Sequence, residues 1–187
     1  TMSMELQFSL LTEDPCKAMN TNYLETELSI LNNRLDYLEQ LYGKRDPEII
    51  QMKKYYSLLQ IRHWLLFSKA QEMCDVDLGI ILYFYSNEKC PDCNTQGNVL
   101  TSFRKKYADE IKVYAFDVDL DDPAVATLVD IYNVSQVPTI VYNDYVFVGF
   151  TGMQRLENIR SGNVSDIEDL GTERPLNISM NQSEKGR

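Results

Sequence analysis

Apolar residues change their spacing once along this chain, near residue 75. Before that point they recur at helical intervals. Leu24, Leu28, Leu31, Leu35, Leu38 and Tyr42 are separated by alternating steps of four and three, the two-per-heptad seam of a coiled coil. Ile49, Met52, Tyr56, Leu59, His63, Leu66, Ala70 and Met73 form a second seam. Asp14-Pro15 and Asp46-Pro47 each set a capping acid before a proline at the first helical position, where the missing N–H does no harm. Gly43 supplies the left-handed stop between them. Two helices of similar length joined by a short turn predict an antiparallel hairpin over residues 15–75. Facing residues in such a hairpin have a constant sum of residue numbers. Every rung from Tyr42 with Ile49 to Leu24 with Leu66 gives 90 or 91, and Cys16 with Cys74 gives 90. The register therefore predicts a structural disulfide between Cys16 and Cys74 at the open end. A tie across a loop of that length stabilises by roughly 4 kcal/mol in the chain-entropy model.

After residue 75 the pattern is that of alternating strands and helices. Leu78 to Tyr85 reads as a buried strand, Cys93 to Tyr107 as a helix and Ile111 to Val118 as a second strand. Asp122-Pro123 opens another helix, to about Tyr132. Thr139 to Tyr142 and Tyr145 to Phe150 read as strands joined by the turn Asn143-Asp144. A short helix follows Gly152. The predicted organisation is an N-terminal segment 1–14, the hairpin 15–75, an α/β domain 76–160, and a disordered tail 161–187 where periodicity gives way to Ser, Asn, Glu and Gly.

Charge narrows the partners. The chain carries 28 acidic and 18 basic side chains, a net charge of −10, which repels a phosphate backbone, so nucleic acid is not an expected partner. The longest apolar run is far short of the roughly 20 residues that cross a bilayer. No membrane span is expected here, although the chain is also consistent with the soluble part of a tethered protein. Four acids, Asp117, Asp119, Asp121 and Asp122, read as a solvated strand end and a helix cap rather than a cation site. His63 and Trp64 read as packing residues of the hairpin. Asn133, Asn163 and Asn177 each open a glycosylation triplet of the kind that arises by chance in Asn-rich chains. A zinc site built from all four cysteines needs the hairpin's open end to abut the second cysteine pair, and no metal is expected.

That second pair carries the chemistry. Cys90-Pro91-Asp92-Cys93 lies between a strand and a helix, inside a strand–helix–strand unit. Two intervening residues on a first helical turn bring both sulfurs within bonding reach. The first sulfur then sits at a helix start, whose unpaired N–H groups stabilise a thiolate. The second is more buried and placed to resolve a mixed disulfide. Pro91 and Asp92 lie between them, where a charged or rigid residue tunes redox poise.

The segment resembles the thioredoxin family. Ile80-Ile81-Leu82-Tyr83-Phe84-Tyr85 leads into the cysteines as that family's central strand does. Val113 to Asp119 looks like its next parallel strand, and Tyr132-Asn133-Val134-Ser135-Gln136-Val137-Pro138-Thr139 resembles the loop whose proline is cis and packs against the dithiol. Gly152 falls where a family glycine follows the last strand. The resemblance covers roughly residues 77–160. It implies a thioredoxin-like mixed sheet flanked by helices, behind the N-terminal antiparallel hairpin. It also implies that Cys90 attacks, Cys93 resolves, and Val137 and Pro138 present an edge to an extended substrate segment. Two positions depart from the family. Phe84 stands where many thioredoxins bury a carboxylate, and Lys89 where their tryptophan precedes the first cysteine.

The expected function is a thiol–disulfide oxidoreductase that exchanges electrons with protein thiols and disulfides, needs no cofactor, and is served by a redox partner protein. A structural Cys16–Cys74 disulfide implies an extracytoplasmic setting, periplasmic, secreted or lumenal, with a cytoplasmic setting the alternative. The competing class is an adaptor, whose hairpin binds a partner while the thioredoxin-like half serves as scaffold.

Overall fold

The computed structural model describes residues 9, 12–19, 23–74, 76–108, 110–143 and 145–162. From residue 163 on, the expected tail lies outside the described residues, with the triplets at Asn163 and Asn177. The elements are α1 (Pro15–Met19), α2 (Tyr23–Tyr42), α3 (Pro47–Cys74), β1 (Gly79–Tyr85), α4 (Cys93–Lys106), β2 (Ile111–Asp117), α5 (Pro123–Ile131), β3 (Thr139–Tyr142), β4 (Tyr145–Val148) and α6 (Met153–Arg160).

Local chemistry starts and stops these elements. Asp46 Oδ1 accepts the backbone N–H groups of Glu48 (2.9 Å) and Ile49 (3.4 Å), capping α3. Gly43, at φ +88°, ends α2 and turns the chain. Asp122 caps α5 through Ala124 and Val125. β4 ends at Val148 rather than at Phe150, because Gly149 turns away at φ +85°. At the start of β1, a Cβ on Gly79 would run into the side-chain ends of Ile111 and Tyr142, so glycine leaves those two buried side chains their room.

The four strands form one mixed sheet in the order β2-β1-β3-β4. β1 pairs parallel with β2, antiparallel with β3, and β3 pairs antiparallel with β4. Alternation along β1 builds two cores. Ile80, Leu82 and Phe84 join Tyr114, Phe116 and Val141 beneath Val125 and Leu128 of α5 and Trp64 and Phe67 of α3. Ile81 and Tyr83 face the other way, with Ile111, Ile140, Tyr142 and Phe147, beneath Leu100 and Phe103 of α4 and Leu156 of α6. The protein is therefore a mixed α/β fold, a four-stranded sheet flanked by helices on both faces.

The hairpin is not a free-standing coil, because α3 lays one face on this sheet. His63 does not sit on a helix–helix seam: its Nδ1 lies 2.8 Å from the Tyr114 hydroxyl on β2. Burial holds its pKa down to about 4, with Glu25 opposing and Lys112 adding to that shift. α3 also meets α2, and Lys53 lies between the two surfaces: its Nζ pairs with Glu39 of α2 at 2.6 Å and is 3.7 Å from Asp117 of β2. Tyr42 and Met73, expected at the ends of the seam, are exposed. One 28-residue helix serves two surfaces, and the seam runs out where the sheet takes over.

Candidate redox site

β1 and β2 end at Tyr85 and Asp117, which pair with each other, so both strands deliver their following loops to one end of the sheet. Open α/β sheets build their sites at that end. Residues 86–89 then lead to Cys90, and α4 starts at Cys93. Cys93 N–H donates to Cys90 O at 3.3 Å, and Gln96 N–H to Asp92 O at 2.8 Å, closing the turn that carries the dithiol. Cys90 and Cys93 are joined by a disulfide, with 5.3 Å between their Cα atoms. Cys90 is half-buried and Cys93 buried; Pro91 and Asp92 between them are exposed, and the Asp92 side chain makes no helix-capping bond.

The Val137–Pro138 peptide bond is cis. Thr139 pairs with Phe84, so Pro138 stands level with the last residue of β1, at the sheet end from which the chain leaves for Cys90. Pro138 O accepts from Gly149 N–H at 2.8 Å and Thr139 Oγ1 donates to Gln136 O at 2.7 Å, so both flanks of the bond are held.

Cys16 and Cys74 form the other disulfide, 58 positions apart in sequence, with Cα atoms 5.7 Å apart. It ties α1 to the end of α3, away from the dithiol.

Several residues around the dithiol are ones that motif reading passes over. The Tyr83 hydroxyl donates to Cys93 O at 2.6 Å, fixing the start of α4 to β1. Gln96, fully buried one turn on, donates to Thr151 O (3.0 Å) and accepts from Thr151 N–H (2.7 Å), which pins the segment before α6. The available signal for Gln96 is its place in the stripe Cys93, Leu100, Phe103: a polar amide on an apolar face has to find partners. Phe84 is wholly buried between the rings of Phe116 (5.8 Å) and Tyr132 (6.2 Å), an apolar environment that accounts for the departure at that position.

The acids at and just after the end of β2 are not simply solvated. Asp119 accepts from Ser86 Oγ (2.9 Å) and Asn87 N–H (2.8 Å), and Ser86 Oγ accepts from the N–H groups of Glu88 and Lys89. Asp117 is buried, accepts from Asn87 Nδ2 at 2.5 Å and has Lys53 Nζ at 3.7 Å. Burial raises its pKa, opposed by the Asp119 backbone bond, Lys53 and Asn87. The hairpin turn reaches the same loop: Lys44 Nζ donates to Asn87 Oδ1 and Arg45 to Glu88 Oε1, each at 2.7 Å.

Among the described residues no helix is long and apolar enough to cross a membrane. No protein-family model matches the chain, and no curated protein matches it. Solved structures similar to it include thioredoxins. One is thioredoxin-2, described as a component of malaria parasite protein secretion machinery (22% identity, TM-score 0.38, covering 46% of this chain and 82% of that one). Another is chloroplastic thioredoxin z (21%, 0.39, 55% and 89%). A third is the germline-specific thioredoxin Deadhead of Drosophila melanogaster (24%, 0.37, 53% and 92%).

Proposed function

We propose that this protein is a thiol–disulfide oxidoreductase that acts on protein thiols and disulfides through Cys90 and Cys93. The observation that carries the reading is the bonded, unequally buried cysteine pair at the start of α4, level with a cis-proline at the same sheet end. In the reduced state the half-buried Cys90 thiolate attacks one sulfur of a substrate disulfide. A mixed disulfide forms and the other substrate sulfur leaves as a thiolate. Cys93 then attacks Cys90 Sγ, and the second substrate thiol is released. Two electrons have passed to the substrate and the protein holds the Cys90–Cys93 disulfide. A redox partner protein with a dithiol of its own reverses that change, and run backwards the same steps oxidise a substrate dithiol. Val137 and Pro138 offer backbone edge to an extended substrate segment. Pro91 and Asp92 set the poise, the carboxylate by disfavouring a neighbouring thiolate. The Cys16–Cys74 tie supports work in an oxidising compartment, with the chain free or tethered to a membrane.

The test is reduction of insulin by the full chain with dithiothreitol as electron source. Wild type should outpace dithiothreitol alone, Cys90→Ser should be inactive, and Cys93→Ser should trap a mixed disulfide with substrate. Activity that survives Cys90→Ser would overturn the assignment. The adaptor reading has one observation in its favour: Ile30, Tyr37 and Leu41 on α2, and Tyr55, Leu58 and Leu65 on α3, are exposed at helical spacing. Wild-type chain that reduces no faster than dithiothreitol would favour it.

A further inference from the structure

Residues 86–89 are the whole of the chain between the end of β1 and Cys90, so their conformation decides where Cys90 stands relative to α4. The end of β2 and the turn after it hold this loop through Asp117 and Asp119. The remaining anchors come from the hairpin turn. Asn87 is the junction: its side-chain oxygen accepts from Lys44 and its amide donates to Asp117. Lys53 of α3 lies against Asp117 and is paired with Glu39 of α2. One connected set of polar contacts thus runs from both hairpin helices and their turn to a residue three positions before Cys90.

We propose that the hairpin is a positioning element of the redox site, in which Lys44 and Arg45, backed by buried Lys53, hold the 86–89 loop and so set the reactivity of Cys90. The proposal rests on the dithiol reading above. None of these side chains touches a sulfur; they act through the loop. The Arg45–Glu88 pair is 82% exposed on the arginine side and weak by itself. Lys53 and Asp117 are both buried and give the set a stiff base. A loosened loop lets Cys90 drift from the helix-start N–H groups that stabilise its thiolate. The reduced form then loses stability, so alkylation slows and the exchange with two glutathione molecules shifts toward the protein disulfide.

The experiment compares full-length wild type with Asn87→Ala, Arg45→Gln, Glu88→Gln and the Arg45→Gln/Glu88→Gln double variant. The readouts are the pH profile of Cys90 labelling by iodoacetamide and the equilibrium with glutathione, with melting temperature as control. Asn87→Ala is expected to slow labelling at pH 7 by about threefold, within the range of a lost exposed polar pair. Arg45→Gln and Glu88→Gln should both slow it, and the double variant no further than the slower single. Unchanged profiles and equilibria in every variant would overturn the proposal. So would opposite shifts from Arg45→Gln and Glu88→Gln that cancel in the double variant, the mark of two independent charges. Should Asn87→Ala fail to fold, the exposed pair decides alone. Wild type that fails to exchange with glutathione would count against the proposed function, while Cys90 labelling still reads the hairpin's hold.

Discussion

Gln96 spends both ends of its amide on the backbone of a single residue, Thr151, 55 positions away. Replacing it by leucine strands a buried N–H and a buried C=O, at a cost of about 2–4 kcal/mol. Thr151 itself has a buried hydroxyl with no hydrogen-bond partner among the described residues. Thr151→Val keeps the shape and removes that hydroxyl, so it should be neutral or stabilising by about 1 kcal/mol. Urea unfolding of the two variants beside wild type checks both signs at once. The contrast with the dithiol shows what is legible at this scale. Cys90 and Cys93 are close in sequence, so their spacing alone brings them together on one turn. Gln96 announces only that it needs a partner, because the partner is supplied by tertiary structure. Lys44 and Arg45 announce nothing, since a basic turn looks like any solvated turn until the loop it holds is in view.

At the scale of elements, α3 is the piece with two duties. Its sequence advertises one apolar stripe, the seam expected to face α2, whose Ile49, Leu59 and Leu66 are buried. The side chains that meet the sheet are partly polar: hydrophobic periodicity passes over Lys53 and Gln60, and it assigns His63 to the seam with α2 although its partner is Tyr114 of β2. The strands, α4, α5 and α6 were legible to within a few residues, because alternation and caps are local signals. His63 gives the docking of α3 a pH signature. Its folded pKa is about 4 against the ordinary histidine value of 6.5, so the unfolded chain takes up a proton between those values and the folded chain does not. Stability from this group is complete above pH 6.5 and is lost as pH falls toward 4. At pH 4.5 the loss is about 2–3 kcal/mol, and His63→Gln should lack that part of the acid sensitivity in urea titrations at pH 7 and 4.5. The other end of α3 is tied to α1. Replacing Cys16 and Cys74 by serine should cost about 4 kcal/mol if chain entropy dominates, read as a lower urea midpoint under non-reducing conditions.

For the molecule as a whole, hairpin and sheet share a core. Trp64 and Phe67 of α3 lie in the cluster that holds Ile80, Leu82 and Phe116. Residues 76–162 expressed alone expose that face, forfeiting roughly 1.5–3 kcal/mol for each large side chain uncovered. That fragment is expected to bind a hydrophobic dye and to melt without cooperativity, whereas residues 9–162 should melt in one step. Cooperative unfolding of the shorter fragment would show the hairpin to be dispensable for folding. The sheet's outer strand on that side, β2, would otherwise offer a row of unpaired backbone groups to any neighbour. Gln60 occupies that row at its middle: its amide donates to Ala115 O and accepts from Ala115 N–H, each at 2.9 Å. A side chain of α3 thus stands in for a fifth strand. A second copy of this protein approaching β2 meets a ladder already interrupted at Ala115. Fibril-like growth by edge addition, among the described residues, is then left to the four-residue β4 on the opposite side.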